Sequence, residues 1–187
     1  MSLPLRAYGF LLLLTVVFGC RKPPVHYLRP IANNTRDSRE VFGCRINGIP
    51  FIPLATDSAS MGTCTYRKTY NDGEGFVFRI NGDRHESACE FSSITIVLDS
   101  IQLAEGMMYP LGSPGNRKNY AIYFIVKECA DTGEEMFTTD DLFGYLRVDR
   151  INIEKQIVTG TFDFKVRDKN GNLYRMSDGV FDRHYTN

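Results

Sequence analysis

The chain has 187 residues, in which 22 Lys and Arg balance 22 Asp and Glu, with five cysteines and no tryptophan. That length suits one domain, and hydrophobic residues at 43% with charged residues at 24% exclude a wholly disordered chain. A net charge of zero argues against a nucleic-acid-binding protein, because phosphate binding requires a clustered basic excess.

The first eighteen residues have the pattern of an export signal. Arg6 provides a positive charge, and an apolar stretch of twelve residues follows from Ala7 to Phe18. This stretch is shorter than the about 20 residues that a transmembrane helix needs, but it has the length of a signal-peptide core. We therefore assign residues 1–19 to a signal peptide.

The signal ends in Val17-Phe18-Gly19-Cys20, which resembles the lipobox of bacterial lipoproteins, although Phe18 replaces the usual small residue. The resemblance implies cleavage after Gly19 and lipid attachment to Cys20; the alternative is an ordinary secretory signal with a chance cysteine. Each buried methylene of an acyl chain contributes about 0.8 kcal/mol, so two or more chains anchor stably. We expect a cell-envelope protein attached through its lipid, most naturally to the outer membrane.

Residues 20–40 have the composition of a flexible tether, and the net charge of the chain changes sign after them. Residues 1–40 hold six basic and two acidic residues, a net of +4, whereas residues 41–187 hold 16 and 20, a net of −4. Three prolines and little apolar periodicity are typical of a flexible linker. Because no acidic cluster follows Cys20, a periplasm-facing position is favoured over the cell surface. Residues 41–187 form the single folded domain.

The four remaining cysteines are an even number in an oxidising compartment, which favours disulfides. Of the three possible pairings, short loops favour Cys44–Cys64 and Cys89–Cys129. A zinc site is the weaker alternative, since no Cys-x-x-Cys occurs in the chain.

From residue 41 onward the pattern is that of short strands. The clearest, at 157–167, alternates apolar and polar residues throughout, so one face is buried. Residues 120–126 are apolar on both faces, which predicts a strand covered on both sides. Other strands are predicted at 41–46, 63–70, 76–81, 94–99, 143–149, 173–177 and 179–185. Turns are predicted at Asn47-Gly48, Asp72-Gly73, Asn81-Gly82, Asn170-Gly171 and Asp178-Gly179.

These elements predict an all-β fold, an antiparallel sandwich or barrel of about nine or ten strands without a helix of ten residues. A calycin-like barrel is possible. The absence of tryptophan argues against it, because such barrels usually have a Gly-x-Trp motif in the first strand.

Three segments resemble a family of small secreted lipoproteins of diderm bacteria, known only as a domain of unknown function. The most specific contains Ile157-Val-Thr-Gly-Thr-Phe-Asp-Phe and Ser177-Asp-Gly-Val-Phe-Asp. The other two are Cys44-Arg-Ile-Asn-Gly and the segment 96–112, and together the match covers roughly residues 41–185. The resemblance implies the architecture and the envelope location, but no reaction, cofactor or site.

Two groups of residues have catalytic or metal-binding types. Ser177, Asp178, Asp182 and His184 contain the types of a hydrolase triad, but no Gly-x-Ser-x-Gly elbow surrounds the serine. His85, Glu86, Cys89 and Glu90 lack the second histidine of a His-Glu-x-x-His zinc motif, so a solvated loop is the simpler interpretation.

Three further groups have residue types that are found in ligand sites. An acidic group has the oxygen ligands of calcium but no known loop spacing; it comprises Asp131, Glu134, Glu135, Asp140 and Asp141. Asp168 to Asn172 is better explained as a hairpin turn. Six tyrosines have side chains suited to a glycan or peptide surface, although most fit as sheet residues; they are Tyr66, Tyr70, Tyr109, Tyr120, Tyr123 and Tyr145.

The sequence therefore predicts a lipid-anchored envelope protein with a non-enzymatic binding or structural β domain and no metal or cofactor. Its partner is an unknown envelope protein, glycan or small ligand, bound by an exposed sheet face or edge. The alternatives are a small-ligand carrier of calycin type and an envelope hydrolase.

Overall fold

The computed structural model describes residues 40–53, 62–69, 75–87, 89–115, 119–127 and 129–187. Within these residues the fold is all-β, with no helix and eleven strands. The strands are β1 Val41–Ile46, β2 Ile49–Phe51, β3 Cys64–Thr69, β4 Gly75–Ser87, β5 Glu90–Leu98, β6 Met108–Leu111, β7 Asn119–Val126, β8 Glu134–Phe137, β9 Gly144–Asn152, β10 Ile157–Arg167 and β11 Leu173–His184.

The strands form two antiparallel sheets packed as a sandwich. The six-stranded sheet has the order β2-β1-β11-β10-β9-β6, and the five-stranded sheet has the order β3-β4-β5-β7-β8. The predicted all-β sandwich is confirmed, and the possibility of a closed calycin-like barrel is wrong. Backbone hydrogen bonds join the two sheets at their edges without merging them: the Gly112 amide donates to Asn119 at 2.9 Å, and the Tyr66 amide donates to Thr186 at 2.9 Å.

Strand β10 shows why the sheets pack. Its burial alternates along the whole predicted length, with Val158, Phe162, Phe164 and Val166 buried and the residues between them partly exposed. The buried side chains belong to one continuous core between the sheets. Period-two alternation was sufficient to predict this strand because its two faces meet different environments.

Two of the predicted turns lie inside strands. Asp178 has φ 54° and forms a β-bulge within β11, where the pairing shifts between Phe162 and Phe164 on the neighbouring strand. Gly82 lies within β4, and a Cβ placed there would come within 2.2 Å of the Phe42 ring. Neither dipeptide therefore forms a turn between strands. Asp178 forms a bulge within β11, and Gly82 leaves space within β4 for an aromatic ring.

The other predicted turns have separate outcomes. Asn47 and Gly48 have φ angles of 50° and 84°, and Gly171 has φ 88°, so the two hairpin turns are confirmed. The Asp72-Gly73 turn lies outside the described residues. Asp168 stabilises the second hairpin by accepting the amide hydrogens of Asn170 and Asn172 at 2.9 and 2.7 Å.

Strand β7 differs from its prediction. Only Ala121 and Tyr123 are fully buried, both on the core side, while the apolar residues of the opposite side are partly exposed. The prediction of a strand covered on both sides is therefore wrong within this chain. Three short strands, β2, β6 and β8, were not predicted because segments of three or four residues carry too little alternation to recognise.

Candidate binding surface

The predicted lipid attachment site is outside the described part of the chain. Gly19 and Cys20 precede residue 40, the first residue described. Among the residues that are described, no helix has the length and apolarity to cross a membrane.

The disulfide prediction is half right. Cys89 and Cys129 form a disulfide that joins the β4–β5 turn to the β7–β8 loop, with a Cα–Cα distance of 4.2 Å. Cys44 and Cys64 are free and buried. The predicted Cys44–Cys64 pair is wrong, because a short loop between two cysteines does not ensure that their side chains meet. Cys44 pairs with Phe51 in one sheet and Cys64 with Ile80 in the other.

The two free thiols are poor nucleophiles. Burial raises the pKa of Cys44 far above its ordinary value, and the nearby charges of Asp163 and Asp178 raise it further. Burial raises the pKa of Cys64 to about 12, although the Arg183 charge opposes the shift. Since the thiolate is the reactive form, both cysteines act as small core residues at neutral pH.

The residues resembling a hydrolase triad do not converge. Ser177 and His184 lie on the same strand, separated by roughly 20 Å at 3.3 Å per residue. Asp182 and His184 share the outer side of β11 as expected, but Nδ1 of His184 lies 2.7 Å from Oε1 of Glu40. Ser177, the candidate nucleophile, is therefore too far from His184 to form a triad with it.

Glu40 instead holds the start of the domain against β11. Its Oε2 lies 2.7 Å from Nε of Arg183, a side chain only 6% exposed, and Nη2 of Arg183 donates to the Gly62 carbonyl at 2.8 Å. Partial burial alone raises the pKa of Glu40, but hydrogen bonds from His184 and the Arg183 charge outweigh it, so the net pKa is lowered. The carboxylate thus fixes where the linker enters the fold.

The residues resembling a metal motif have other partners. Cys89 is in the disulfide, the His85 ring packs 4.7 Å from Phe91, and Glu86 pairs with Nε of Arg84 at 3.3 Å.

The predicted acidic group is likewise divided among separate contacts. Glu134 accepts the Lys169 amide at 2.9 Å, and Asp140 accepts the Ser113 amide at 3.0 Å. In the described ranges, no three His, Cys, Asp or Glu side chains are grouped as a metal site would require.

Two of the six tyrosines fasten a loop between the sheets. The hydroxyl oxygen of Tyr66, on β3, accepts the Leu103 amide at 3.0 Å, and that of Tyr109, on β6, accepts the Ala104 amide at 2.9 Å. These two tyrosines are therefore structural, as most were expected to be. Tyr123 is buried, which raises its pKa to about 12, and Tyr70 lies outside the described residues.

The opening between the sheets at the disulfide end is polar. Arg84 lies on the inward side of β4, after the buried residues of that strand, and its Nη1 donates to the Pro50 carbonyl at 2.8 Å. Lys127 lies 5.9 Å above the Tyr174 ring. A pocket of about 110 Å³ adjoins this opening, lined partly by Glu86 and Lys127. That volume is well below the roughly 300 Å³ at which small-molecule sites begin, so the pocket is a weak candidate.

The outer face of the six-stranded sheet is covered by paired charges. Arg147 and Asp149 lie 3.1 Å apart and Arg175 and Asp163 3.6 Å apart. A third pair, Arg45 and Asp178, lies 3.8 Å apart. We call this surface the ionic face. Such a face is well solvated and has little to gain from burial.

The outer face of the five-stranded sheet is different. Its outward positions on β5 and β7 are mostly aliphatic or aromatic, whereas β4 adds the charged residues Arg79 and Asp83. Val97 and Thr95 are only 8% exposed. Rings contact along it: Phe91 and Phe124 lie 6.0 Å apart, and Tyr120 and Phe137 lie 6.3 Å apart. We call this surface the apolar face, defined by Val77, Phe91, Val97, Tyr120, Ile122, Phe124, Val126 and Phe137.

The sheet edges offer less for binding than the faces. The edge strands β2, β6 and β8 have three or four residues, and Pro50 and Pro110 interrupt two of them. At the fourth edge, the backbone of β3 already pairs with Thr186. Short, proline-containing or occupied edges disfavour the addition of another strand, so a face is the better binding surface.

Comparisons with protein families, with characterised proteins and with solved structures find no match to this chain. The resemblance to a lipoprotein family therefore stays a prediction. The sequence signal of the apolar face is the strand at 120–126, which is apolar on both sides. The face was missed because the second apolar side was interpreted as covered by another layer of the same chain. The same signal also identifies a strand whose second apolar side meets a partner.

Removing the disulfide should lower stability substantially. The bond joins residues 40 apart, and closing a loop of that length restricts the unfolded chain by about 4 kcal/mol in the chain-entropy model. We expect urea unfolding of the wild type to shift by this order when a reductant is added. Cys64→Ala should keep the reductant dependence, whereas Cys89→Ala/Cys129→Ala should lose it. A reductant effect that persists in the double variant would contradict the assignment.

The Glu40 contacts should make stability depend on pH. Because its pKa is lowered from 4.5, Glu40 stabilises the fold above about that pH, and the contribution is lost as pH falls through the folded-state pKa. We expect Glu40→Gln to be less stable than wild type at pH 7 and to show a flatter stability profile below pH 5. Glu154→Gln, in the exposed β9–β10 turn, is the matched control. Parallel profiles of wild type and Glu40→Gln would contradict the role.

Proposed function

We propose that the chain is a lipid-anchored envelope protein whose β-sandwich is a non-enzymatic binding module. The anchor is the lipid on Cys20, the linker is residues 20–40, and the position is the periplasmic side of the outer membrane. The sequence pattern at residues 1–20 supports the anchor, and a disulfide in the domain suits an oxidising compartment.

The binding surface is the apolar face, and the contrast between the two outer faces carries this assignment. Both sheets bury one side in the same core, so the outer sides are free to be polar. The six-stranded sheet has a charged outer side with ion pairs, whereas the outer side of the five-stranded sheet concentrates rings and branched aliphatic side chains on β5 and β7. Contiguous apolar surface on a folded domain is typical of an interaction site.

The partner is a protein. Glycans bind to aromatic rings with free hydrogen-bonding groups around them, but this face mixes rings with Val97, Ile122 and Val126. Of the polar groups beside it, Asp83 already accepts hydrogens from Asn81 and Ser93. Branched aliphatic surface is best matched by apolar side chains of another polypeptide.

The anchor is tested by labelling cells with a palmitate analogue. Wild type should carry the label and sediment with the outer membrane, whereas Cys20→Ala should lose the label and stay with the soluble fraction. Cys64→Ala, which alters a buried cysteine far from the lipobox, should behave as wild type. Equal label on wild type and Cys20→Ala would remove the anchor.

The binding face is tested by site-specific photo-crosslinking in the full-length chain. A photoreactive residue at Ile122, central on the apolar face, should give one discrete polypeptide adduct, and Phe124→Lys in the same chain should abolish it because a charge interrupts the face. The same group at Thr161, central on the ionic face, is the control. Equal adducts from both positions, no adduct, or a glycan adduct would overturn the assignment.

A further inference from the structure

We infer that the apolar face binds a second copy of this chain, so that the protein is a two-fold dimer; this rests on the proposed binding face. The inference comes from how charges and rings are distributed over the rows of the sheet. Side chains at paired positions of neighbouring antiparallel strands lie in one row across the face.

The central row of the face is flanked by one row of outward side chains on each side. It consists of Asn81, Thr95, Ile122 and Phe137, which pair successively across β4, β5, β7 and β8. On β4, the outward neighbours of Asn81 are Arg79 and Asp83. On β7, the outward neighbours of Ile122 are Tyr120 and Phe124. Each pair has one member on each side of the central row.

A two-fold axis along the central row makes the face complementary to itself. A rotation about this axis exchanges the two flanking rows while each strand packs over its own copy. Arg79 of one copy then meets Asp83 of the other, twice per dimer, and Tyr120 meets Phe124. Opposite charges and aromatic rings are both favourable partners across an interface, and the two contacts come from one symmetry operation.

The perpendicular axis is disfavoured by the same register. An axis parallel to the strands and between β5 and β7 would place β4 over β8. Asp83 and Glu135 lie in one row, joined through Ser93 and Phe124, so that axis brings two carboxylates together. Like charges across an interface are unfavourable, and the arrangement with Arg79 against Asp83 avoids this contact.

The size of the face fits such a dimer. Five strands at about 4.8 Å spacing, with a mean length of about eight residues at 3.3 Å each, give a face of roughly 630 Å². Stable protein interfaces bury about 600 to 1,000 Å² per partner. Asp83 is also held in place, since Oγ of Ser93 donates to its Oδ1 at 2.6 Å, so little order is lost when it pairs.

The linker is long enough for both copies to reach one membrane. The axis along the central row points the two Glu40 ends in opposite directions. Residues 21–39 span at most roughly 65 Å when extended, whereas the longest strand, β4 with 13 residues, is about 43 Å long. A dimer lying with its strands along the membrane can therefore be held by both lipids.

The test is a charge exchange in the full-length chain, purified in detergent and followed by sedimentation. Wild type should be dimeric at micromolar concentration. Arg79→Asp and Asp83→Arg should each weaken self-association by about tenfold or more, because each variant alone puts like charges together. An equimolar mixture of the two should form heterodimers, since both contacts are then between opposite charges. Arg147→Asp, on the ionic face, should associate as wild type.

Ile122→Lys provides a second variant that does not disturb the Asp83 hydrogen bonds. Ile122 lies on the axis, so the substituted side chain would meet its own copy across the axis, and the chain should become monomeric while its circular dichroism spectrum stays that of the folded wild type. A wild-type chain that stays monomeric at tens of micromolar, or a charge-exchange mixture that fails to associate, would overturn the dimer. If the Ile122 crosslink then identifies a different protein, the proposed binding face stands and only the second copy as its occupant is wrong.

Discussion

The packing of phenylalanine rings against inward-facing glycines is the contact on which the sandwich depends. A Cβ at Gly160 would come within 2.4 Å of the Phe181 ring, and one at Gly179 within 2.5 Å of the Phe162 ring. Each ring thus fills the space that a side chain would occupy if the glycine were any other residue. Because Phe162 and its neighbours fill the region between the sheets, the core is close-packed rather than hollow.

This packing also explains which parts of the fold could be predicted from the sequence. Strand β10 was predicted to the residue, since its alternation continues for its whole length and glycine at 160 keeps the pattern on the buried side. Gly82 and Gly179 were mistaken for turns because a glycine needed for ring packing and one needed for a turn look alike in sequence. Whether a glycine serves a turn or ring packing depends on the residue that packs against it, as Phe42 of β1 does against Gly82 of β4. That contact joins residues distant in the sequence.

The proposed binding surface could be predicted only in part, and for the same reason. The apolar character of residues 120–126 was visible, but whether the second side faces a layer of the same chain or a partner depends on how many layers the domain has. The charges that distinguish the ionic face are spread over β1, β9, β10 and β11, and only the strand order brings them together. The Cys44–Cys64 prediction failed likewise, because loop length says nothing about which sheet each cysteine joins.

The disulfide and the apolar face are mechanically connected. Cys89 precedes β5 and Cys129 follows β7, and these neighbouring strands carry Val97, Ile122 and Phe124. The bond therefore joins the ends of the two strands that contribute most of the face, which limits their fraying and holds the rows in register. A surface that is already ordered loses less conformational entropy when a partner binds. The Glu40 contacts act at the other end of the domain, where the linker enters beside β11. Glu40 is thus held at the end of the domain away from the disulfide, so its contacts and the disulfide order opposite ends of the fold.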